Sequence, residues 1–136
     1  MKRSIVLLAL LVVFTTLAPA QDKTQAAEQA AQAWLRFVDS GDYSQSWVEA
    51  SSLFKAAVTE QDWVRKVSAV RQPLGALISR KLKSATPATQ LPGAPDGHYV
   101  VIQYETSFAN KKSAIETVTP MLDKDGQWRV SGYLIK

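Results

Sequence analysis

The chain has 136 residues, no cysteine, one histidine and a net charge of +4 from 16 basic and 12 acidic residues. Without cysteine there is no disulfide and no thiol chemistry, and a lone histidine cannot supply the three or four protein ligands of a zinc site. The small charge excess, half of it from Lys2 and Arg3, does not suit nucleic acid or an anionic membrane surface.

The first 20 residues read as a secretory signal peptide. Lys2 and Arg3 precede an uncharged run from Ile5 to Leu17, and Ala18-Pro19-Ala20 offers the small-x-small cleavage pattern. Cleavage is expected between Ala20 and Gln21. The apolar run is shorter than the about 20 residues of a spanning helix. No cysteine at the cleavage site would take a lipid, and no later segment is apolar enough to span, so no stable membrane anchor is expected. The expected product is one domain, 21–136, periplasmic or secreted, of ordinary size for a single core.

Apolar residues follow a helical period up to Gly75 and a strand period after it. Ala27, Ala30, Ala31, Trp34, Leu35 and Val38 form one helical stripe, and Gly41 stands where a left-handed cap is wanted. Asp42 is expected to cap the next helix, with Gln45 reaching back to it. Tyr43, Trp47, Ala50 and Phe54 carry the apolar side through a second helix or a pair of short helical turns. Thr59 and Asp62 open a third helix that buries Trp63, Val64, Val67 and Val70, and Pro73 and Gly75 stop it.

Four strands are expected over 76–85, 98–110, 113–122 and 127–135. Residues 91–97 form a turn-rich link and Asp123-Lys124-Asp125-Gly126 a tight hairpin. Helices first and strands second predict an α+β fold, with three N-terminal helices packed on a curved four-stranded antiparallel sheet.

Three stretches carry a family resemblance: AWLRFVDSGDYSQSW, RQPLGALISRKL, and the long run from LPGAPDGHYVVIQYETSF to GQWRVSGYLI. Together they resemble a bacterial exported family known as domain of unknown function 4019, from about Ala33 to Ile135. The order of elements also looks cystatin-like or NTF2-like, a bent sheet around a helix that leaves a cone. The first resemblance implies no activity, and the second is a shape that hosts many chemistries.

His98 follows Asp96-Gly97 at the start of a strand and reads as a solvated rim residue. No metal and no cofactor is expected. The Asp123–Gly126 turn lacks the later oxygen ligands of a calcium loop. There is no Gly-x-Ser-x-Gly elbow, and the prolines of the 91–97 link remove amides that a phosphate cradle needs. Trp34, Trp47, Trp63 and Trp128 each fall on the apolar stripe of their element and read as core.

Two places offer binding chemistry. The outer sheet face alternates Gln103, Glu105, Thr117, Thr119, Arg129, Ser131 and Tyr133 with larger apolar groups. It would hold a Glu105–Arg129 pair and suits a homodimer interface or another envelope protein. Inside the cone, Arg80, Tyr104 and Thr106 are expected between sheet and helices, with Glu49 or Asp62 as partner for the arginine. The candidate binding residues are thus Arg80, Tyr104, Glu105, Arg129 and Tyr133, with no catalytic residue. The expected function is a non-enzymatic binding or protein-interaction module of the cell envelope. The alternative is a small acid/base enzyme, of isomerase or hydrolase type, that uses the cone as its pocket.

Overall fold

The structure, a computed structural model, describes residues 12–14 and 19–136. The expected leader falls outside them, apart from 12–14, 19 and 20. No helix among the described residues is long and apolar enough to cross a membrane.

Four helices precede four strands. Helix α1 spans Pro19–Asp39, α2 Tyr43–Val48, α3 Ser52–Ala57 and α4 Glu60–Leu74. Strands β1 (Leu77–Ala88), β2 (Tyr99–Phe108), β3 (Lys111–Leu122) and β4 (Trp128–Ile135) pair antiparallel in the order β1-β2-β3-β4. The fold is α+β, with the N-terminal helices laid across one face of a curved sheet.

The first helix ends as its glycine predicts. Gly41 takes φ +77°, its N–H donates to Val38 O at 3.1 Å, and Asp42 N–H donates to Phe37 O at 2.8 Å. This double bond satisfies two orphan carbonyls and makes Asp39 the last helical residue. It also denies Asp42 its expected capping role. With its N–H committed backwards and ψ at 63°, Asp42 lacks the extended backbone of a side-chain cap, and its carboxylate caps nothing. Gln45 turns outward to Glu49 instead.

Of the two forms expected for the middle segment, the pair of short helices is the one that forms, because Ser51 starts a new helix. Its Oγ accepts from Phe54 N at 3.1 Å. Thr59 caps α4 by accepting from Asp62 N, as its spacing predicts. Pro73 does not stop α4, which runs one residue further; Gly75, at φ +74°, does. A Cβ at Gly75 would lie 3.0 Å from Asn110 Nδ2 and 3.1 Å from Ala109 Cβ. Asn110 closes this corner by donating from its side chain to Pro73 O and from its backbone to Leu74 O.

The core lies between sheet and helices. Trp34, Trp63 and Phe54 pack in a row, Trp34 tilted against Trp63 with ring centroids 5.9 Å apart and Phe54 T-shaped to Trp63 at 4.8 Å. Trp47 and Trp128 are half-buried against the same cluster. Burying one indole removes on the order of 200 Å² from water, worth roughly 5 kcal/mol before conformational costs. The polar ends are met locally. Trp34 Nε1 donates to Ser46 O at 2.7 Å, Trp63 Nε1 to Ser46 Oγ at 2.9 Å, and Trp47 Nε1 to Val58 O at 2.8 Å.

The sheet departs from simple alternation in β4. Thr119 pairs with Gly132 but Pro120 pairs with Val130, so Ser131 is an extra, bulged residue whose Oγ donates to Thr119 O. Pro120 has no N–H to give, and a bulge is where a sheet tolerates proline. The consequence is a change of parity. Trp128, Val130, Tyr133 and Ile135 face the helices, whereas Leu134 is on the opposite face and 53% exposed. Tyr133, expected on the outer face, is an inner residue, and its ring lies 5.3 Å from that of Trp34.

Candidate functional site

Beneath the helices the inner sheet face holds a closed ionic cluster. Glu116, on β3, is 0% exposed. Its Oε1 accepts from Arg80 Nε at 2.7 Å and Thr106 Oγ1 at 2.6 Å. Its Oε2 accepts from Arg80 Nη2 at 3.2 Å and from the Tyr133 hydroxyl. Arg80, on β1, reaches Asp39 with its other edge, Nη1 to Oδ2 at 2.7 Å and Nη2 to Oδ1 at 2.9 Å. Arg71, on α4, donates to Asp39 Oδ1 at 2.9 Å, and its guanidinium carbon sits 4.8 Å from the Phe108 ring centroid.

Two carboxylates and two guanidinium groups balance, and six elements contribute: α1, α4 and all four strands. Asp39 stands at the C-terminus of α1, where the helix dipole disfavours an anion, and the two arginines offset this. Burial pushes the Asp39 carboxyl up. The hydrogen bonds and charges of Arg80 and Arg71 outweigh burial and hold it below 3.8. Burial and the Glu116 charge push the Tyr133 phenol well above its ordinary value, so it remains a donor. Arg80 is held firmly charged: burial opposes the charge, and its bonds to Asp39 and Glu116 more than offset that.

Tyr104, directly opposite Glu116 across the β2–β3 ladder, is 3% exposed, and its hydroxyl finds no hydrogen-bond partner among the described residues. Burial, then the charge of Glu28, pushes its phenol up to about 12. Arg71 Nε is likewise unpartnered there.

A second polar knot fixes the β3–β4 hairpin to α3. Asp123 accepts from Ser52 Oγ at 2.6 Å, Ser52 N at 2.9 Å and Lys124 N at 2.9 Å, with Arg129 beside it at 3.3 Å. The Ser52 hydroxyl above all, with these amides and the Arg129 charge, holds its carboxyl far below the usual range against the opposing effect of burial. The hairpin itself is tied by Asp123 N to Gln127 O at 2.8 Å.

The sequence-predicted residues therefore separate. Arg80, Tyr104 and Tyr133 meet inside. The partners of Arg80 are Asp39 and Glu116, not Glu49 or Asp62. Glu105 is exposed, opposite Lys81 and Ile115. Arg129 lies two strands away from it and pairs with Asp125 at 2.7 Å and with Asp123. The expected Glu105–Arg129 pair does not form because β2 and β4 are not neighbours. Asp39, Arg71 and Glu116 were not singled out from the sequence. Glu116 did carry a signal, a lone acid at the inward parity of β3 between Ala114 and Val118. His98 is exposed at the rim, as its position implied.

The sheet's two edges differ. β1 is blunted by bulges at Ile78 and Lys83 and by Lys81. β4 from Val130 to Ile135 carries no charge. Its first half is covered, since Ser51 N donates to Val130 O at 2.9 Å. Beyond that, Ile115 and Lys136 exchange both backbone bonds, at 2.9 and 3.0 Å. The alternation of an antiparallel ladder then turns the amides and carbonyls of Tyr133 and Ile135 away from β3, to the open edge. Alongside runs a largely apolar groove of about 260 Å³, between α4 (Trp63, Lys66, Val67, Val70) and β4 (Tyr133, Leu134, Ile135), to which Lys66 brings a charge. No group of three or more acidic, histidine or cysteine side chains among the described residues could hold a metal ion.

The family model described as a protein of unknown function, DUF4019, matches residues 30–133. No curated protein matches the chain.

Proposed function

The chain belongs to the DUF4019 family, and from its geometry we propose that it is a non-enzymatic interaction module of the bacterial cell envelope that pairs with a second copy of itself along the free half of β4. The observation that carries this reading is the asymmetry of the two edges. One is bulged and bears Lys81, and the other carries no charge on the strand from Val130 to Ile135 and lies beside a largely apolar groove that Lys66 also lines. The secretory pattern of residues 1–20 supports export to the periplasm or beyond.

An edge strand is self-complementary about a two-fold axis, so two β4 strands can pair antiparallel and extend both sheets into one. The same step covers Val70, 50% exposed, and Leu134 on each copy. This moves the expected interface from the outer sheet face to its edge, because the bulge takes Tyr133 off that face. The enzymatic alternative, which uses the cone as its pocket, asks for an ionisable group open to a cavity inside that cone. Glu116 is sealed and its oxygens have four donors, which favours the binding reading.

The test is mass against concentration, by light scattering or sedimentation. The parent protein should form dimers. Ile135→Pro removes an N–H that points away from β3, and Val70→Glu charges the groove from an exposed position; each should weaken the dimer at least tenfold. A parent that stays monomeric at several hundred micromolar, or dimers unaffected by both substitutions, overturns the proposal.

A further inference from the structure

At the other end of β4 from the open edge lies a larger cleft, of about 520 Å³. It sits between the first turns of α1 and the far end of the sheet. Pro87 and Ala88 from β1, Tyr99 and Val100 from β2, and Trp128 from β4 form apolar walls. The polar residues that line it are Lys23, His98 and Thr89. Among the described residues no Asp or Glu lines it.

Three features narrow the ligand. Among the described residues neither Lys23 nor His98 forms an ion pair. The indole N–H of Trp128 makes no hydrogen bond there, although those of Trp34, Trp47 and Trp63 all do. The volume falls within the roughly 300–1,000 Å³ usual for small-molecule sites. Walls that are apolar, with a rim that carries an unpaired lysine and an imidazole, complement an apolar body that ends in an anionic acceptor.

The geometry points to a binding site for a small amphiphilic carboxylate, its hydrocarbon part between Val100 and Trp128 and its carboxylate toward Lys23 and His98. His98 is then a ligand-facing rim residue with no part in catalysis. The site does not depend on the β4 edge, so its failure and the failure of dimer formation are separate results.

Decanoate and decanol have the same apolar body and differ in charge. Calorimetry and tryptophan fluorescence should show one saturable decanoate site per chain, with decanol at least fivefold weaker. The double variant Lys23→Ala with His98→Ala changes two exposed side chains. It should weaken decanoate about five- to tenfold and leave decanol unchanged, as expected for one partly solvated charge contact with Lys23 and one hydrogen bond from the imidazole. Ala88→Phe fills the cleft from an edge-strand position and should abolish both; near-ultraviolet circular dichroism confirms that each variant is folded. Absence of saturable decanoate binding, equal affinity for decanol, or a folded Ala88→Phe protein that binds decanoate like the parent would each overturn the assignment.

Discussion

Replacing Glu116 with glutamine keeps the size of the side chain and removes its charge. Each Glu116 oxygen accepts two donors, one of them from Arg80. A glutamine amide must place its NH₂ at one of these two positions, whichever way it is turned. The hydroxyls of Thr106 and Tyr133 can rotate to accept, but a guanidinium has no acceptor, so one Arg80 N–H is left facing an N–H. Arg71 and Arg80 then share a single, partly buried anion, Asp39. Removing one partner of a buried ion pair costs about 3–5 kcal/mol, a large part of a total of about 5–15 kcal/mol. For a domain of this size, that lowers Tm by roughly 10–20 °C. Urea unfolding followed by tryptophan fluorescence should show a lower midpoint with an unchanged slope. The double variant Arg80→Met with Glu116→Leu removes both charges, and should be less destabilised than the sum of its single changes by at least about 1 kcal/mol. A Glu116→Gln protein within about 0.5 kcal/mol of the parent would refute the claim that this cluster holds the two halves together.

Acid should loosen the domain through Asp39 and Asp123. Both carboxyls are held below 3.8 in the folded chain, so the unfolded chain takes up their protons at higher pH. Their stabilisation is complete above about pH 5 and is lost as pH falls through the ordinary carboxylate value toward their folded values. Asp123→Asn should lower stability at pH 7 and flatten denaturation midpoints measured across that window; an unchanged acid profile would count against the role given to Ser52. Tyr104→Phe deletes a buried hydroxyl with no partner among the described residues. It should leave stability unchanged or raise it by up to about 1 kcal/mol, and a loss larger than that would mean the hydroxyl is engaged.

The helical half was legible where local chemistry decides the structure. Gly41, Thr59 and the apolar stripe through Trp34 and Val38 act within a few residues of themselves. Asp42 failed as a cap because the turn before it had already used its backbone, which composition does not reveal. Strands β2 and β3 were legible as alternation, whereas β1 is broken by its bulges at Ile78 and Lys83, and β4 was legible until Ser131. A bulge depends on Pro120 of the neighbouring strand, and the parity of Tyr133 and Leu134 reverses with it. The ionic cluster was half legible: Arg80 was expected to need an acid, but its partners come from α1 and β3, 41 and 36 residues away in sequence. Only strand order brings them together, and strand order also separates Glu105 from Arg129.

The bulge at Ser131 makes the length of β4 an inherited quantity. A chain one residue shorter here could not keep both Val130 and Tyr133 turned inward. Deleting Ser131 would exchange the places of Tyr133 and Leu134, pressing an isobutyl group against Glu116 and stranding the phenol in water. When related sequences are aligned, a gap between Val130 and Gly132 therefore signals a rebuilt interior.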